Sequence, residues 1–285
     1  MYQTISGGSR SLHGQRAGEF VITIVIVVAG VLIAHMPHFD RSLPSLAIPL
    51  SPTSTVHVRD PSFDLPKSPQ QFSMPLTLAL AYGIPLAVHG LFQWHTRVPY
   101  DTRDFVLSLV LASALTQTTT NAIKVLAGRF RPCFFAMCDW DASVPWDGHA
   151  NLCRDKAGEA EGRKSFPSGH TSTAFSTLFF LTIYLMGRLQ VFATPHSVRS
   201  TLNLFAVFAP CVLATWIAVS RTMDNMHHYS DIVAGAVIGI TAGALAYSFN
   251  YASIFTAKSS GLPREAYEEN QRHVKSSAPS SEVYT

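Results

Sequence analysis

The sequence predicts an all-α, polytopic membrane protein with six transmembrane helices. Only 14% of its 285 residues are charged, whereas a typical soluble domain has roughly 25%. Cutting the chain at every Asp, Glu, Lys and Arg leaves seven uncharged runs of at least 17 residues. Because a spanning helix needs about 20 apolar residues, six of these runs could cross a bilayer. An ordinary water-soluble enzyme is therefore excluded.

The seventh uncharged run, 42–58, is a predicted loop. It contains Pro44, Pro49 and Pro52 together with several hydroxyl side chains. A helix that lacks so many backbone donors would not be stable in hydrocarbon. The six predicted spans lie near 19–36, 73–94, 105–123, 170–187, 201–220 and 231–250.

The first span is expected to stay in the membrane as a signal anchor. Arg10, Arg16 and Glu19 precede it, and no persuasive small-residue cleavage site follows Phe20 to Met36. A cleavable signal peptide would normally end in such a site.

Three regions follow from these spans. Residues 1–18 form a cytosolic N-terminal segment, and 19–255 form the six-helix membrane domain. Residues 256–285 are rich in Ser, Glu and Lys after Gly261 and lack an apolar face, which predicts a disordered cytosolic tail.

The distribution of arginine predicts the orientation. Six spans place both termini on one side, and the short loops on that side contain Arg97, Arg103, Arg188 and Arg199. The short loop opposite has Arg221 alone. The positive-inside rule then places both termini in the cytosol. Loops 37–72, 124–169 and 221–230 face the extracytoplasmic or lumenal side.

The net charge gives no indication of a nucleic-acid partner, and the cysteines permit a disulfide. The net charge of +3 is small, and no Lys/Arg block or stacking-aromatic pattern indicates a nucleic acid. Cys133, Cys138 and Cys153 lie in the long outer loop, where an oxidising compartment permits a disulfide. Three free thiols are an equally good interpretation, because the sequence does not determine a pairing.

Three polar clusters lie at the outer ends of the predicted spans, all on the same side of the membrane. The first is Lys124 to Pro132, the second Ser165 to His170, and the third Ser220 to Asp231. The shared side supports a common site for the three clusters, because uncharged length alone defines the spans and the clusters do not enter that definition.

The first two clusters could bind phosphate. Pro132 restricts Arg131 to extended conformations, which would hold its guanidinium at a defined angle for bidentate binding. Ser168 and Gly169 could cap a helix and direct free N–H groups at an anion. The alternatives are that Lys124 and Arg131 are ordinary juxtamembrane cations and that the second cluster is only a turn.

The third cluster contains a candidate nucleophile. His227 and Asp231 are four residues apart, so they share a helix face if the sixth predicted helix begins before Asp231. A carboxylate that accepts from Nδ1–H leaves Nε2 free, as a nucleophilic or basic histidine requires. A helix-capping His–Asp pair is the alternative. His228 points about 100° away on a helix and is interpreted as structural, as His170 would be if it stood alone.

Taken together, the clusters describe a phosphate site with a nucleophile and an acid. Lys124, Arg131 and Arg221 could neutralise a phosphate monoester without a metal. No metal-ligand pattern is evident, so we expect neither a metal site nor a cofactor.

The three clusters resemble the type 2 phosphatidic acid phosphatase superfamily, whose signature reads K-x6-R-P, P-S-G-H and S-R-x5-H-x3-D. The matching positions are Lys124, Arg131, Pro132, Pro167, Ser168, Gly169, His170, Ser220, Arg221, His227 and Asp231. The resemblance extends over 85–250 and is greatest to the eukaryotic lipid phosphate phosphatases. The segments 60–66 and 161–166 also resemble that branch, whereas the Pro-rich insert 42–58 departs from it.

This resemblance implies a metal-independent phosphatase acting on phosphatidate, lysophosphatidate, diacylglycerol pyrophosphate or sphingosine 1-phosphate in the bilayer. His227 would attack phosphorus to form a phosphohistidine, Asp231 would orient it, and His170 would protonate the leaving group and then activate water. The phosphate would be held by Lys124, Arg131, Ser168, Gly169 and Arg221. Two other functions stay open: a sphingolipid-type phosphotransferase, and a catalytically silent membrane scaffold or transporter.

Overall fold

Long helices make up most of the computed structural model, which describes residues 8–192, 198–256, 259 and 261–277. Residues 1–7 of the predicted N-terminal segment lie outside this part. The helices are α1 (Gly8–Ala34), α2 (Met74–His95), α3 (Asp101–Ala127), α4 (Phe134–Met137), α5 (Lys156–Gly162), α6 (Gly169–Arg188), α7 (Val198–Met223), α8 (Tyr229–Asn250) and α9 (Arg264–Ser277).

Five helices are long and apolar enough to cross a membrane, which supports a multi-pass membrane protein. They are Ala17–Ala34, Met74–His95, Asp101–Ala127, Thr201–Met223 and Tyr229–Asn250. The fourth predicted span, 170–187, corresponds to α6 and is not among them. This helix packs against α2, α3, α7 and α8, so much of its surface faces protein rather than lipid. Its buried hydroxyl side chains lower its mean hydropathy, and they belong to Thr171, Ser172, Thr173, Ser176, Thr177 and Thr182.

Three glycines allow α8 to pack closely against α6. A Cβ atom on Gly235, Gly239 or Gly243 would lie 2.7, 2.5 or 2.6 Å from a backbone oxygen of α6. The three glycines are spaced by four residues, so they form one stripe on the helix, as small residues do where membrane helices approach closely. This contact fixes the N-terminal end of α8 beside the N-terminal end of α6.

The prediction that residues 42–58 form a loop is wrong in part, because an antiparallel hairpin forms there. Strand β1 (Ser45–Ser51) pairs with β2 (Ser54–Arg59), and Ser45 lies opposite Arg59. The prolines excluded a spanning helix but not a two-stranded ribbon, because each strand has one unpaired edge that tolerates a missing N–H. The register is irregular between Pro49 and Ser51.

The segments between helices gather at one end of the bundle. Phe39 N donates to Val125 O at 2.8 Å, and Leu65 N donates to Pro132 O at 3.1 Å. Asn225 Nδ2 donates to the carbonyl of Pro66 at 3.0 Å. Segments 37–72, 124–169 and 221–230 therefore contact one another, as the prediction that they face one compartment requires.

A buried carboxylate ties the helices together at the opposite end. Asp101, the first residue of α3, has no exposed surface. Its Oδ1 accepts from Tyr251 Oη at 2.7 Å, and its Oδ2 accepts from Gln93 Nε2 at 2.6 Å and Tyr184 Oη at 2.9 Å. Arg188 Nη1 lies 3.6 Å away, so the charge of this carboxylate is also balanced.

The C-terminal region differs from the predicted disordered tail. Arg264–Ser277 forms α9, which is anchored by Arg103 Nη2 to Glu265 Oε2 at 2.6 Å and by Tyr100 Oη to Glu269 Oε1 at 3.0 Å. Polar contacts with the bundle thus order this segment, and Ala266 is buried. Residues 278–285 of the predicted tail lie outside the described part.

The long segment after α3 contains a disulfide between Cys138 and Cys153. Cys133 is a buried free thiol, and burial raises its pKa above the ordinary value. One of the two interpretations left open by the sequence, a loop disulfide, is therefore the one that the structure contains.

Candidate active site

The C-terminal turn of α3 brings the first cluster to the start of α6. Gly128 ends the helix in the left-handed region with φ of 51°, and a Cβ there would lie 2.1 Å from Phe39 O. Only glycine fits this turn. Lys124 Nζ donates to Lys164 O at 2.6 Å, and its Cε lies 3.8 Å from the place of a Cβ on Gly169.

Arg131 is buried and held mainly by backbone groups. Its own N–H donates to Gly162 O at 2.8 Å, Nε donates to Glu161 O at 3.1 Å, and Nη1 donates to Met226 O at 3.2 Å. Nη1 also lies 3.4 Å from His227 Nε2, and Nη2 lies 2.5 Å from Glu161 Oε1. The guanidinium therefore stands directly against the candidate nucleophile.

Ser168 fastens the second cluster to α8. As the N-cap of α6, its Oγ accepts from Thr171 N at 3.4 Å and from Thr171 Oγ1 at 3.0 Å. The Ser168 N–H donates to Asp231 O at 3.0 Å. The positive end of the α6 dipole and the Gly169 amide lie next to Lys124, which is an arrangement that favours an anion.

Arg221 has no exposed surface and is paired with a carboxylate. Its Nη2 donates to Asp224 Oδ2 at 2.6 Å and to Ser220 Oγ at 3.0 Å. Nη1 donates to Gln70 Oε1 at 3.2 Å. Asp224 is fixed in turn by the N–H of Gln71 at 3.0 Å. The segment before α2 thus completes the setting of this arginine.

His227 lies between Arg131 and Asp231. Its Nδ1 is 3.5 Å from Asp231 Oδ2 and makes no short hydrogen bond within the described residues. Its Nε2 faces the Arg131 guanidinium. Burial, together with the positive charge of Arg131, holds the pKa of His227 well below its ordinary value. The ring is therefore neutral near pH 7, and its Nε2 lone pair accepts from Arg131 Nη1 at 3.4 Å.

Asp231 is held by three donors besides His227. Ser165 Oγ donates to Oδ2 at 2.5 Å, and the N–H of His228 donates to the same oxygen at 2.9 Å. Arg129 Nη1 donates to Oδ1 at 2.7 Å. The carboxylate itself is fully buried. These contacts fix which oxygen faces the histidine.

His170 occupies the first turn of α6, and its Nε2 is buried without a hydrogen-bond partner among the described residues. The positive charges of Arg221, Arg131 and Lys124 act on this ring. Buried polar atoms are usually satisfied, so this nitrogen is suited to meet a substrate group.

The structure thus brings all eight predicted site residues to one end of the bundle. The direct contacts connect Arg131, His227, Asp231 and Ser168, with Lys124 beside Gly169. Arg221 and His170 lie close enough for the positive charges of the site to act on them, but no hydrogen bond connects them to these residues in the described part of the chain.

Several residues at the site had no role in the sequence-based hypothesis. They are Arg129, Glu161, Ser165 and Asp224. Two of them lie inside the clusters found in the sequence. Arg129 is two residues before Arg131 in the first cluster, and Ser165 is the first residue of the second cluster. The described residues contain no group of three His, Cys, Asp or Glu side chains placed to hold a metal ion.

Comparison with known proteins fits this geometry. A family model described as the PAP2 superfamily matches residues 105–255, a little over half of the chain. The chain belongs to the PAP2 superfamily. The resemblance to the type 2 phosphatidic acid phosphatases is therefore confirmed, and the PAP2 match includes all eight predicted site residues.

Individual PAP2 relatives come from plants, yeast and mammals. Lipid phosphate phosphatase 1 of Arabidopsis thaliana is 36% identical over 179 residues, which are 62% of this chain and 53% of the relative. The Schizosaccharomyces pombe protein named probable diacylglycerol pyrophosphate phosphatase 1 is 32% identical over 148 residues, 50% of this chain and 52% of the relative. Phospholipid phosphatase 2 of Rattus norvegicus is 30% identical over 168 residues, 58% of this chain and 57% of the relative.

The matched segment covers a little over half of the length of each of these curated relatives. No solved structure matches the chain significantly.

Proposed function

We propose that this chain is an integral membrane lipid phosphate phosphatase that forms a phosphohistidine intermediate without a metal. The observation that carries the proposal is the position of His227, whose Nδ1 faces a buried carboxylate and whose Nε2 faces a buried guanidinium. The names of the relatives, which include lipid phosphate and diacylglycerol pyrophosphate phosphatases, support the same class of substrate.

In the first half-reaction, the His227 Nε2 lone pair attacks phosphorus and the bond from phosphorus to the lipid oxygen breaks. The leaving oxygen takes a proton from His170, so the lipid departs as a neutral alcohol. Asp231 stabilises the positive charge that develops on the His227 ring. Lys124, Arg131 and Arg221 stabilise the charge on the phosphoryl oxygens.

In the second half-reaction, His170 accepts a proton from water while the water oxygen attacks phosphorus. The phosphorus–nitrogen bond breaks, inorganic phosphate leaves, and His227 returns to its neutral form. His170 therefore serves first as the acid and then as the base, and each step conserves protons.

The membrane explains why the substrate would be a lipid. The site lies at the end of helices that are apolar enough to span a bilayer, so acyl chains could remain in hydrocarbon while the head group reaches His227. We propose phosphatidate as the main substrate, with lysophosphatidate, diacylglycerol pyrophosphate and sphingosine 1-phosphate as further ones. The expected products are inorganic phosphate and the dephosphorylated lipid.

We further propose that α6 also spans the membrane, which gives six spans in all, that both termini are cytosolic and that the site faces the extracytoplasmic or lumenal side. A cysteine placed near Arg59 should then react with an impermeant thiol reagent from that side. Reaction only after the cytosolic face is opened would mean that the orientation is inverted.

Activity of the detergent-purified full chain on a panel of lipid phosphates tests the function. We expect phosphate release that EDTA does not reduce and that His227→Ala eliminates. Transfer of the phosphoryl group to an added lipid alcohol, with little free phosphate, would instead support a phosphotransferase. No release from any member of the panel would support the silent scaffold or transporter.

A further inference from the structure

The Glu161 carboxylate lies beside two of the three cations that the proposed reaction uses, Arg131 and Lys124. Its Oε1 is 2.5 Å from Arg131 Nη2, and its negative charge also acts on Lys124. The same guanidinium contacts His227 through Nη1 at 3.4 Å. Glu161 therefore occupies a donor of Arg131 close to the place where a phosphoryl group must bind to be attacked.

Holding Arg131 in place does not require this carboxylate. The Arg131 main chain is fixed to Gly162 O, its Nε to Glu161 O, and its Nη1 to Met226 O. All three acceptors are backbone carbonyls, which a side-chain substitution at Glu161 leaves unchanged. The carboxylate must therefore contribute charge rather than geometry.

The two arginines of the site differ in how their charge is balanced. Arg221 has a permanent partner in Asp224, which is itself buried. The partner of Arg131 is Glu161, whose side chain is 54% exposed while that of Arg131 is 6% exposed. A buried guanidinium needs a counter-charge, yet this counter-charge can rotate into water at small cost.

We infer that the Glu161 carboxylate is a displaceable counter-ion of Arg131 that competes with the phosphate group of the substrate. The inference rests on the proposed phosphatase function, because it assigns Arg131 to the phosphate. When a phosphate monoester binds, its oxygens replace Glu161 Oε1 on Nη2. When inorganic phosphate leaves, Glu161 returns, so the charge of Arg131 is balanced at both stages and product release is favoured.

Removing the charge of Glu161 should therefore tighten phosphate binding. Glu161→Gln and Glu161→Ala in the purified full chain should each lower KM for phosphatidate, and the inhibition constant of inorganic phosphate, by about twofold to fivefold. This range is that of a partly exposed charge pair. The turnover number kcat should not rise, because phosphate release becomes slower.

Asp139→Asn is the matched control. It removes one acidic charge from the same segment, but Asp139 pairs with Arg154 at the surface, and both side chains are more than half exposed. KM and the inhibition constant should stay at the wild-type values in this variant, so a general effect of net charge can be separated from a local one.

Two results would overturn the inference. An unchanged or raised KM with reduced kcat in both Glu161 variants would make Glu161 a positioning residue for Arg131. A second readout does not depend on hydrolysis: inorganic phosphate should raise the melting temperature of Glu161→Gln more than that of wild type. If it does not, the counter-ion role is wrong even in a chain that hydrolyses lipids. If it does, but no lipid phosphate is cleaved, the proposed function fails and the counter-ion role stands.

Discussion

Arg129 should be a positioning residue for Asp231, and its replacement should reduce the rate of the chemical step. Arg129 Nη1 donates to Asp231 Oδ1 at 2.7 Å and to Ser230 Oγ at 2.7 Å. A hydrogen bond to a charged group contributes about 1.5–3 kcal/mol. Because a third of the Arg129 side chain is exposed, the low end applies, and Arg129→Met should reduce kcat roughly ten- to thirtyfold.

The loss should be incomplete, because Ser165 and the His228 N–H still hold the other carboxylate oxygen. Initial rates of phosphate release from phosphatidate in detergent micelles measure kcat and KM separately. Arg154→Met is a suitable control, since Arg154 forms an exposed ion pair with Asp139. Wild-type kcat in Arg129→Met, or a raised KM with kcat unchanged, would refute the positioning role.

Two further predictions concern stability. Gly239→Ala should lower the melting temperature, because its Cβ would lie 2.5 Å from the Ser172 carbonyl oxygen and overpacking costs about 1–3 kcal/mol. The control is Gly83→Ala, which should not lower it, because no atom lies within 4 Å of a Cβ there. Equal melting temperatures of the two variants would contradict the close approach of α6 and α8. Cys138→Ser should also lower the melting temperature, because a disulfide that closes a short loop contributes about 3 kcal/mol. A reducing agent should then destabilise wild type but not Cys138→Ser. An equal effect on both proteins would argue against the Cys138–Cys153 bond.

The sequence predicts most of the membrane helices because hydrocarbon excludes charge. Uncharged length alone located the spans, and the five apolar helices overlap five of the predicted ones. Helix α6 shows the limit of hydropathy, since burial among other helices allows Thr and Ser where lipid contact would favour apolar residues. Its partner stripe, Gly235 to Gly243, could have been found as small residues spaced by four.

The missed elements depend on contacts between distant parts of the chain. The hairpin Ser45–Arg59 forms by pairing two strands, the first of which contains Pro49. Helix α9 is held by Arg103 and Tyr100, whose partners in α9 lie more than 150 residues further along the chain. The composition of the local sequence does not predict the strand pairing or the contacts of α9. The same holds for the disulfide, because only the fold brings Cys138 rather than Cys133 to Cys153.

Motif residues were easier to predict than the groups that position them. The spacing of His227 and Asp231 is local, and the turn that leads into α8 brings their side chains within 3.5 Å of each other. Arg129 and Asp231 are separated by 102 positions, and no local pattern links them. Glu161 and Arg131 are likewise 30 positions apart. Such partners become visible only when the helix ends are assembled.

The most direct test of the central claim is to count phosphate bound to the protein after a base quench. With labelled nitrophenyl phosphate, the leaving group needs little protonation, so His170→Ala should still phosphorylate His227. Dephosphorylation would lack its base, and an acid-labile, base-stable phosphoenzyme should accumulate. His227→Ala should bind no label. Label retained in His227→Ala, or absent from His170→Ala while present in wild type, would contradict the assignment of His227 as nucleophile and His170 as acid and base.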